Sequence, residues 1–360
     1  MSSSPYKGLE SRAFWSSGVA EQSPLAMDDL YRRKFRMRKH EAIATAGSCF
    51  AQHIARHLKA RAFNVMQMEP APQGLSDADA KAQSFGIYTC RYGNIYTAAQ
   101  LLQLAREALD GHEPAEPIWE KDGRFYDAQR PGVEPKGWAT EEEVRAARHF
   151  HLRNVAEMFL SMDVFVFTFG LTEAWIHRET GTVYPTAPGT IAGQFDPEVY
   201  EFKNYTHSET LRAFNSFLKL MKTHRKRRLK CIITVSPVPL TATASDDHVL
   251  AASTYSKSVL RGVCGELSQS NRHIDYYPSY ELITAPSSRG IFYERNLRSV
   301  SAPGVENAMR VFINQHDPSG GAVKPAPAPT APARASKAEE RDQAADDLVC
   351  EEVLLEAFNK

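Results

Sequence analysis

The sequence is short of cysteine, carries no excess charge and has no long apolar run, and each shortage removes a class of protein. Its five cysteines (Cys49, Cys90, Cys231, Cys264, Cys350) are an odd number, widely spaced, with no C-x-x-C pair. That pattern argues against a disulfide framework or a zinc site and fits a reducing compartment. Lys plus Arg and Asp plus Glu both number 43, so no global field draws the chain to nucleic acid or an anionic membrane. No stretch approaches the ~18 apolar residues of a membrane-spanning helix. The opening "MSSSPYKGLESRAFW" lacks the apolar centre of a signal peptide. The expectation is a cytoplasmic protein with no nucleic-acid partner, no transmembrane segment and no internal repeat.

What is present is a globular core. Hydrophobic residues make up 42% of the 360 and charged residues 24%, enough apolar surface for one large domain. That domain is expected over residues 1–316. The stretch 317–343 is rich in Pro, Ala and charge and cannot bury enough surface to order itself. Residues 344–360, "DDLVCEEVLLEAFNK" at their core, put Leu348, Val349, Val353, Leu354 and Ala357 on a rough helical stripe. A short amphipathic helix is predicted there, docked on its own domain or taken by a protein partner.

Strand-like runs fall at 41–47, 62–68, 163–170, 230–238 and 273–280, alternating with helical stretches at 49–60, 97–109, 141–160, 208–225 and 251–268. Near-continuous apolar strands separated by helices predict a mostly parallel sheet covered on both faces, a doubly wound α/β domain. In such sheets ligands bind at the carboxyl ends of the strands, so the residues just after each strand are the candidates. Segments 126–138 and 184–197 read as irregular excursions, the kind that form binding loops.

After the first strand comes Gly47-Ser48-Cys49. Gly47 permits a tight turn. Cys49 meets the first turn of a helix, where amide groups and the dipole favour an anion. The plainer reading is a serine cap and a packed cysteine. After the next strand-like stretch, Gly93 and Asn94 offer a backbone N–H and an amide, the donors of an oxyanion hole, or simply a turn into a helix capped by Thr97. Past 163–170 lies "GLTEAW": Glu173 either orients a histidine or binds a sugar hydroxyl, with Trp175 as a stacking platform, or both serve only packing. His248 stands on a polar loop past the fourth strand, ahead of a helix carrying Ser256 and Lys257. His53 and His57, at i and i+4, have metal-ligand spacing, but no third ligand accompanies them; no metal and no cofactor are expected. The basic run "KTHRKRRLK" (222–230) reads chiefly as a solvated helix end.

Several blocks in order, "ATAGSCFAQHIARHL", "RYGNIYTAAQLLQL", "FTFGLTEAW", "YPTAPGTIAG", "TVSPVPLTAT" and "TYSKSVLR", make the chain similar to the GSCFA family over most of residues 5–315. That family has been grouped with SGNH/GDSL-like hydrolases, which implies a flavodoxin-like three-layer α/β/α domain. It also implies that Gly47-Ser48-Cys49 replaces the Gly-Asp-Ser of that superfamily, with Cys49 in the nucleophile position and Ser48 in the Asp position. By the same resemblance Gly93 stands for the oxyanion glycine, and Gly170-Leu171-Thr172-Glu173 for the Gly-x-Asn-Asp block, with Thr172 where the Asn would be. The usual Asp-x-x-His is absent: Asn296 and Ser299 occupy its places, leaving His248 as replacement base, held by Asp246, Asp247 or Glu173. The implied activity is an esterase or O-acyltransferase reaction on a carbohydrate-like substrate, with Cys49, or in its place Ser48, as nucleophile. The alternative is a non-catalytic glycan- or metabolite-binding or scaffolding protein of a polysaccharide-assembly system.

Overall fold

The structure, a computed structural model, describes residues 4–318, 354, 355 and 358. The expected linker (317–343) and tail helix (344–360) lie almost wholly outside these residues.

Four strands form the central sheet. In chain order β1 is Ile43–Gly47, β4 Val164–Phe169, β8 Lys230–Val235 and β9 Ile274–Tyr276, hydrogen-bonded in that spatial order with every pairing parallel. The side chains of β4 show why both faces are covered. Val164 and Val166 point to one side, while Phe165, Phe167 and Phe169 point to the other, all fully buried. On the phenylalanine side pack α3 (Ala98–Asp110), α4 (Glu141–Ser161), α5 (His207–His224) and α6 (Val249–Ser270). On the valine side pack α1 (Ala51–Ala60), α7 (Ser279–Thr284), α8 (Ala302–His316) and the amino-terminal segment around Leu25, Tyr31 and Met37. No helix among the described residues is long and apolar enough to cross a membrane.

The helices begin where the sequence places cap chemistry. Thr97 and Thr140 each accept a backbone N–H three residues on, and Thr206 with Glu209 completes a capping box at α5. Ser301 caps α8, with Pro303 in its first turn.

One expectation is corrected. The 62–68 run makes a single parallel bridge, Val65 to Ile43, rather than a strand; Met68 then leaves to bond Thr89 O at 2.9 Å, so the pairing stops. And the parallel sheet has company. A hairpin of β2 (Ile118–Lys121) with β3 (Arg124–Asp127) and an antiparallel sheet, β6 (Val183–Tyr184), β5 (Glu173–His177) and β7 (Tyr200–Asn204), are built from the stretches between α3 and α5. β5 and β7 are joined by the cross-strand pair Trp175 and Phe202. The remaining helix, α2 (Asp77–Ala82), is a short exposed turn.

Candidate functional site

The register of the sheet sets Gly47 opposite Thr168 and Phe169 opposite Val235. The chain therefore leaves β1, β4 and β8 at one common edge, and the loops that follow knit together. Ser48 N–H donates to Thr168 O (3.1 Å), Ile95 N–H to Gly47 O (2.9 Å), and Gly170 N–H to Tyr96 O (2.9 Å). Gly47 has φ +134°, and a Cβ there would stand 2.3 Å from Thr168 O. Only glycine lets β1 pass this close to β4. Gly170 is needed for space: a Cβ on it would meet Ser48 Cβ and Tyr96 Cδ1 at 3.0 Å.

Ser48 is buried, and its Oγ has no hydrogen-bond partner. Such an orphaned hydroxyl is costly unless a ligand, water or movement satisfies it. Cys49, one residue on at the entrance to α1, is half-buried, while Cys90, Cys231 and Cys264 are fully buried. Burial pushes the Cys231 thiol up to about 12, and it raises Cys90 and Cys264 strongly as well. Those three are inert packing thiols at neutral pH. Cys49 alone among the described cysteines is placed to meet a reagent.

The Tyr88 hydroxyl lies 3.1 Å from Ser48 O and 2.7 Å from Asn94 Oδ1. It ties Asn94 and the adjoining Gly93 (φ +68°) to the Ser48 turn. Gly170 enters as spacing rather than as a donor, since its N–H is spent on Tyr96. Thr172 N–H is likewise spent on Ser256 Oγ (3.0 Å), although Thr172 Oγ1 is buried without a partner. Glu173 opens β5 and accepts from Thr243 Oγ1 (2.7 Å), a contact that pins the loop after β8. Trp175 lies farther along β5, its ring 5.1 Å from Phe195 and edge-on to it.

His248 is the N-cap of α6: its Nδ1 accepts from Leu250 N–H at 3.1 Å, and the residue is exposed. A neutral imidazole that accepts at Nδ1 carries its proton on Nε2. In this arrangement its Nε2–H is a hydrogen-bond donor; to take up a proton as a base His248 must release the cap. Asn296 and Ser299 sit near the same edge, where the Tyr293 hydroxyl donates to Pro237 O (2.7 Å). Asn296 Oδ1 accepts from Arg298 and Ser299 N–H while its Nδ2 donates to Ser299 Oγ (3.0 Å). The place of the usual Asp-x-x-His thus holds a self-satisfied turn. His57 Nδ1 bonds His53 O at 2.8 Å, and no group of three or more His, Cys, Asp or Glu suited to a metal occurs among the described residues.

Lys257 was visible in the sequence only as part of a helix. Its buried Nζ donates to Gly170 O at 2.7 Å, which fixes α6 and a positive charge against the β4 turn. The signal was the polar group Ser253, Ser256 and Lys257 on the face that α6 buries. A second polar feature lies deeper. Glu69 bonds His151 Nδ1 (2.9 Å), Asp127 pairs with Arg130 (2.6 Å), and Arg148 reaches both Glu107 and Asp127, all buried or nearly so. This cluster fastens α4 and the β2–β3 hairpin to the segment leading to Gly93.

An α/β domain with a parallel sheet, a glycine-enforced Ser-Cys turn at its carboxyl edge and a TYSK helix closing over it defines the class. Residues 42–312 match the GSCFA family, and the chain belongs to that family. No curated protein and no solved structure matches it significantly.

Proposed function

We propose that the protein performs acyl-ester chemistry of the SGNH type, hydrolysis or O-acyl transfer on a carbohydrate-like substrate, with Cys49 as the attacking atom. The observation that carries the reading is the placement of Cys49: a half-buried cysteine between the carboxyl end of a central strand and the amino end of α1, while the other three described cysteines are fully buried. The flavodoxin-like assignment draws support from the Val65 bridge outside β1. With it the spatial order becomes 2-1-3-4-5, the order of doubly wound sheets that bind ligands at this edge. The full burial of Ser48 and the lesser burial of Cys49 also suit the Asp and Ser places of the superfamily triplet.

In the proposed reaction the Cys49 thiolate, favoured by the positive end of α1, attacks the acyl carbon and forms a C–S bond. His248, freed from the α6 cap, holds the proton taken from the Cys49 thiol; as the ester C–O bond breaks, the imidazolium gives that proton to the leaving alkoxide. Water or a second hydroxyl then attacks the thioester and gives its proton to the neutral His248; the C–S bond breaks, and the imidazolium returns that proton to the Cys49 sulfur, restoring the thiol. Asn94 and the Cys49 N–H hold the tetrahedral oxyanion.

One observation favours the non-catalytic reading instead: the Ser48, Gly170 and Thr172 amides are all committed to protein acceptors, leaving few donors for an oxyanion. Both readings meet in one experiment. Iodoacetamide at neutral pH should modify Cys49 well before Cys90, Cys231 and Cys264. Against chromogenic acyl esters and acyl-CoA donors, Cys49→Ala should lose turnover while keeping its fold, and Cys49→Ser should retain a remnant. Full activity in Cys49→Ala would remove Cys49 from the chemistry. An inert wild type that still binds glycan, equally with Cys49→Ala, would establish the binding reading.

A further inference from the structure

The opposite edge of the sheet, where β1 and β8 begin, holds a feature that the reaction does not use. Two basic runs far apart in sequence meet there: "YRRKFRMRKH" (31–40) with six Lys or Arg and "RKRRLK" (225–230) with five. Lys230 lies over the Phe35 ring at 5.5 Å and pairs with Glu41. Between the runs is a cleft of about 870 Å³ whose walls include Arg36, Arg38, Lys39 and Lys230 against the carboxylates Glu41 and Asp317.

Much of this charge is held by neutral oxygens. Arg33 bonds Gln315 O, Lys34 bonds Ser268 O and Ile274 O, Arg36 bonds His316 O, and Arg225 bonds Phe159 O and Met162 O. Carbonyls fix the cations in place without neutralising them, and the carboxylate pairs present, such as Lys39 with Asp317 at 3.1 Å, offset only part. On a chain whose net charge is zero, the edge keeps a positive field.

The compensating charge lies in the same molecule. Residues 339–356, "EERDQAADDLVCEEVLLE", carry eight carboxylates and one arginine. The chain leaves α8 through His316 and Asp317, which are themselves part of the cleft wall. About twenty residues intervene, a reach of at most roughly 70 Å, so the acidic run can return to the cleft. A tether of that length gives an effective concentration near the millimolar range, so even a weak ionic contact is populated.

We propose that residues 339–356 dock in cis on the basic cleft at the amino edge of the sheet. The contact leaves the Cys49 edge open and covers a surface that would otherwise attract polyanions. It is a salt-sensitive latch, released when a stronger anion competes for the cleft.

Zero-length carbodiimide crosslinking of the full chain tests this, because it joins lysines to carboxylates in direct contact. At low ionic strength, Lys34, Lys39 or Lys230 should be joined to residues 339–356 in protein that stays monomeric in mass. The yield should fall at least about tenfold in 0.5 M salt, where screening is nearly complete. It should fall similarly in Arg36→Glu/Arg38→Glu and in Asp346→Asn/Asp347→Asn/Glu351→Gln/Glu352→Gln. The second variant leaves the folded domain untouched, and the local Lys39–Asp317 crosslink reports that the first still folds. Absence of tail crosslinks while Lys39–Asp317 forms would overturn the proposal. So would crosslinks confined to dimers, which would make a second copy the occupant. Equal binding of wild type and tail variant to anionic vesicles or heparin would show the cleft already open, and would also overturn it.

Discussion

Gly47→Ala should lower the thermal midpoint by roughly 6 °C, and by far more than any other single methyl added at a glycine on a surface turn. The new Cβ would lie 2.3 Å from Thr168 O and 2.6 Å from Thr168 N. Both are backbone atoms of the neighbouring strand, so no side chain can swing aside. β1 must separate from β4, and the positive φ adds strain. A cost of at least about 4 kcal/mol is expected, which the unfolding entropy of a chain this long converts to about 6 °C. Gly181→Ala provides the comparison: its φ is +70°, yet nothing lies within 4 Å of the added methyl. That variant carries the backbone strain alone, about 1 kcal/mol, and should shift the midpoint by less than 2 °C. Equal midpoints for the two variants would mean that β1 and β4 do not approach as described. Cys49 in Gly47→Ala should also lose its advantage in alkylation over the buried thiols, because the turn that presents it moves with the strand.

The same turn shows what could be read from the sequence. Continuous apolar runs announced β1, β4 and β8, because a strand buried on both faces leaves an unbroken hydrophobic signature. Helices α3 to α6 were legible as helical stretches, α3 with its Thr97 cap, whereas the Thr140 and Thr206 caps emerged only with the structure. The antiparallel strands were not, since "YEFKN" of β7 is polar on its open side and β6 is two residues long. Their pairing depends on partners that the sequence does not set side by side. At the site, the sequence brought Ser48, Cys49, Gly93, Asn94 and Gly170 to one edge. It did not reveal that the Gly170 amide is spent on Tyr96, or that His248 caps a helix with the nitrogen a base would need. Donor commitments are decided by tertiary geometry. The two basic runs told even less, because a charged stretch looks solvated until its neighbour across the fold is known.

The buried ion cluster was the least visible, because Glu69, Asp127, Arg130, Arg148 and His151 read one by one as surface charge, and it carries the second large effect. Arg130 is almost fully buried. It donates to Asp127 Oδ2 at 2.6 Å, to Arg91 O at 3.0 Å and to Ala147 O at 3.0 Å. Arg130→Ala leaves Arg148, 3.5 Å away, as the cation paired with Asp127, and empties space inside the domain. Removing one partner of a buried pair costs about 3–5 kcal/mol, or roughly 6 °C here. The pH dependence separates this from mere loss of packing. Burial, reinforced by the Arg130 charge, pushes the His151 imidazole down to about 4 against the pull of Glu69. Burial alone would raise the Glu69 carboxyl, but the His151 hydrogen bond, the Arg130 charge and the Arg91 N–H bring it down to about 2. Both groups bind protons more weakly folded than unfolded. The His151 contribution is therefore complete above pH 6.5 and is lost as the pH falls through 4, a change of about 3 kcal/mol. The Glu69 contribution is complete above pH 4.5 and is lost on the way to 2. Stability measured by denaturant should accordingly decline between pH 6.5 and 4 in the wild type. In Arg130→Ala it should start lower and decline less steeply, because the charge that helps to hold His151 unprotonated is gone. A variant that loses stability but keeps the full wild-type slope over that interval would show that Arg130 only fills space.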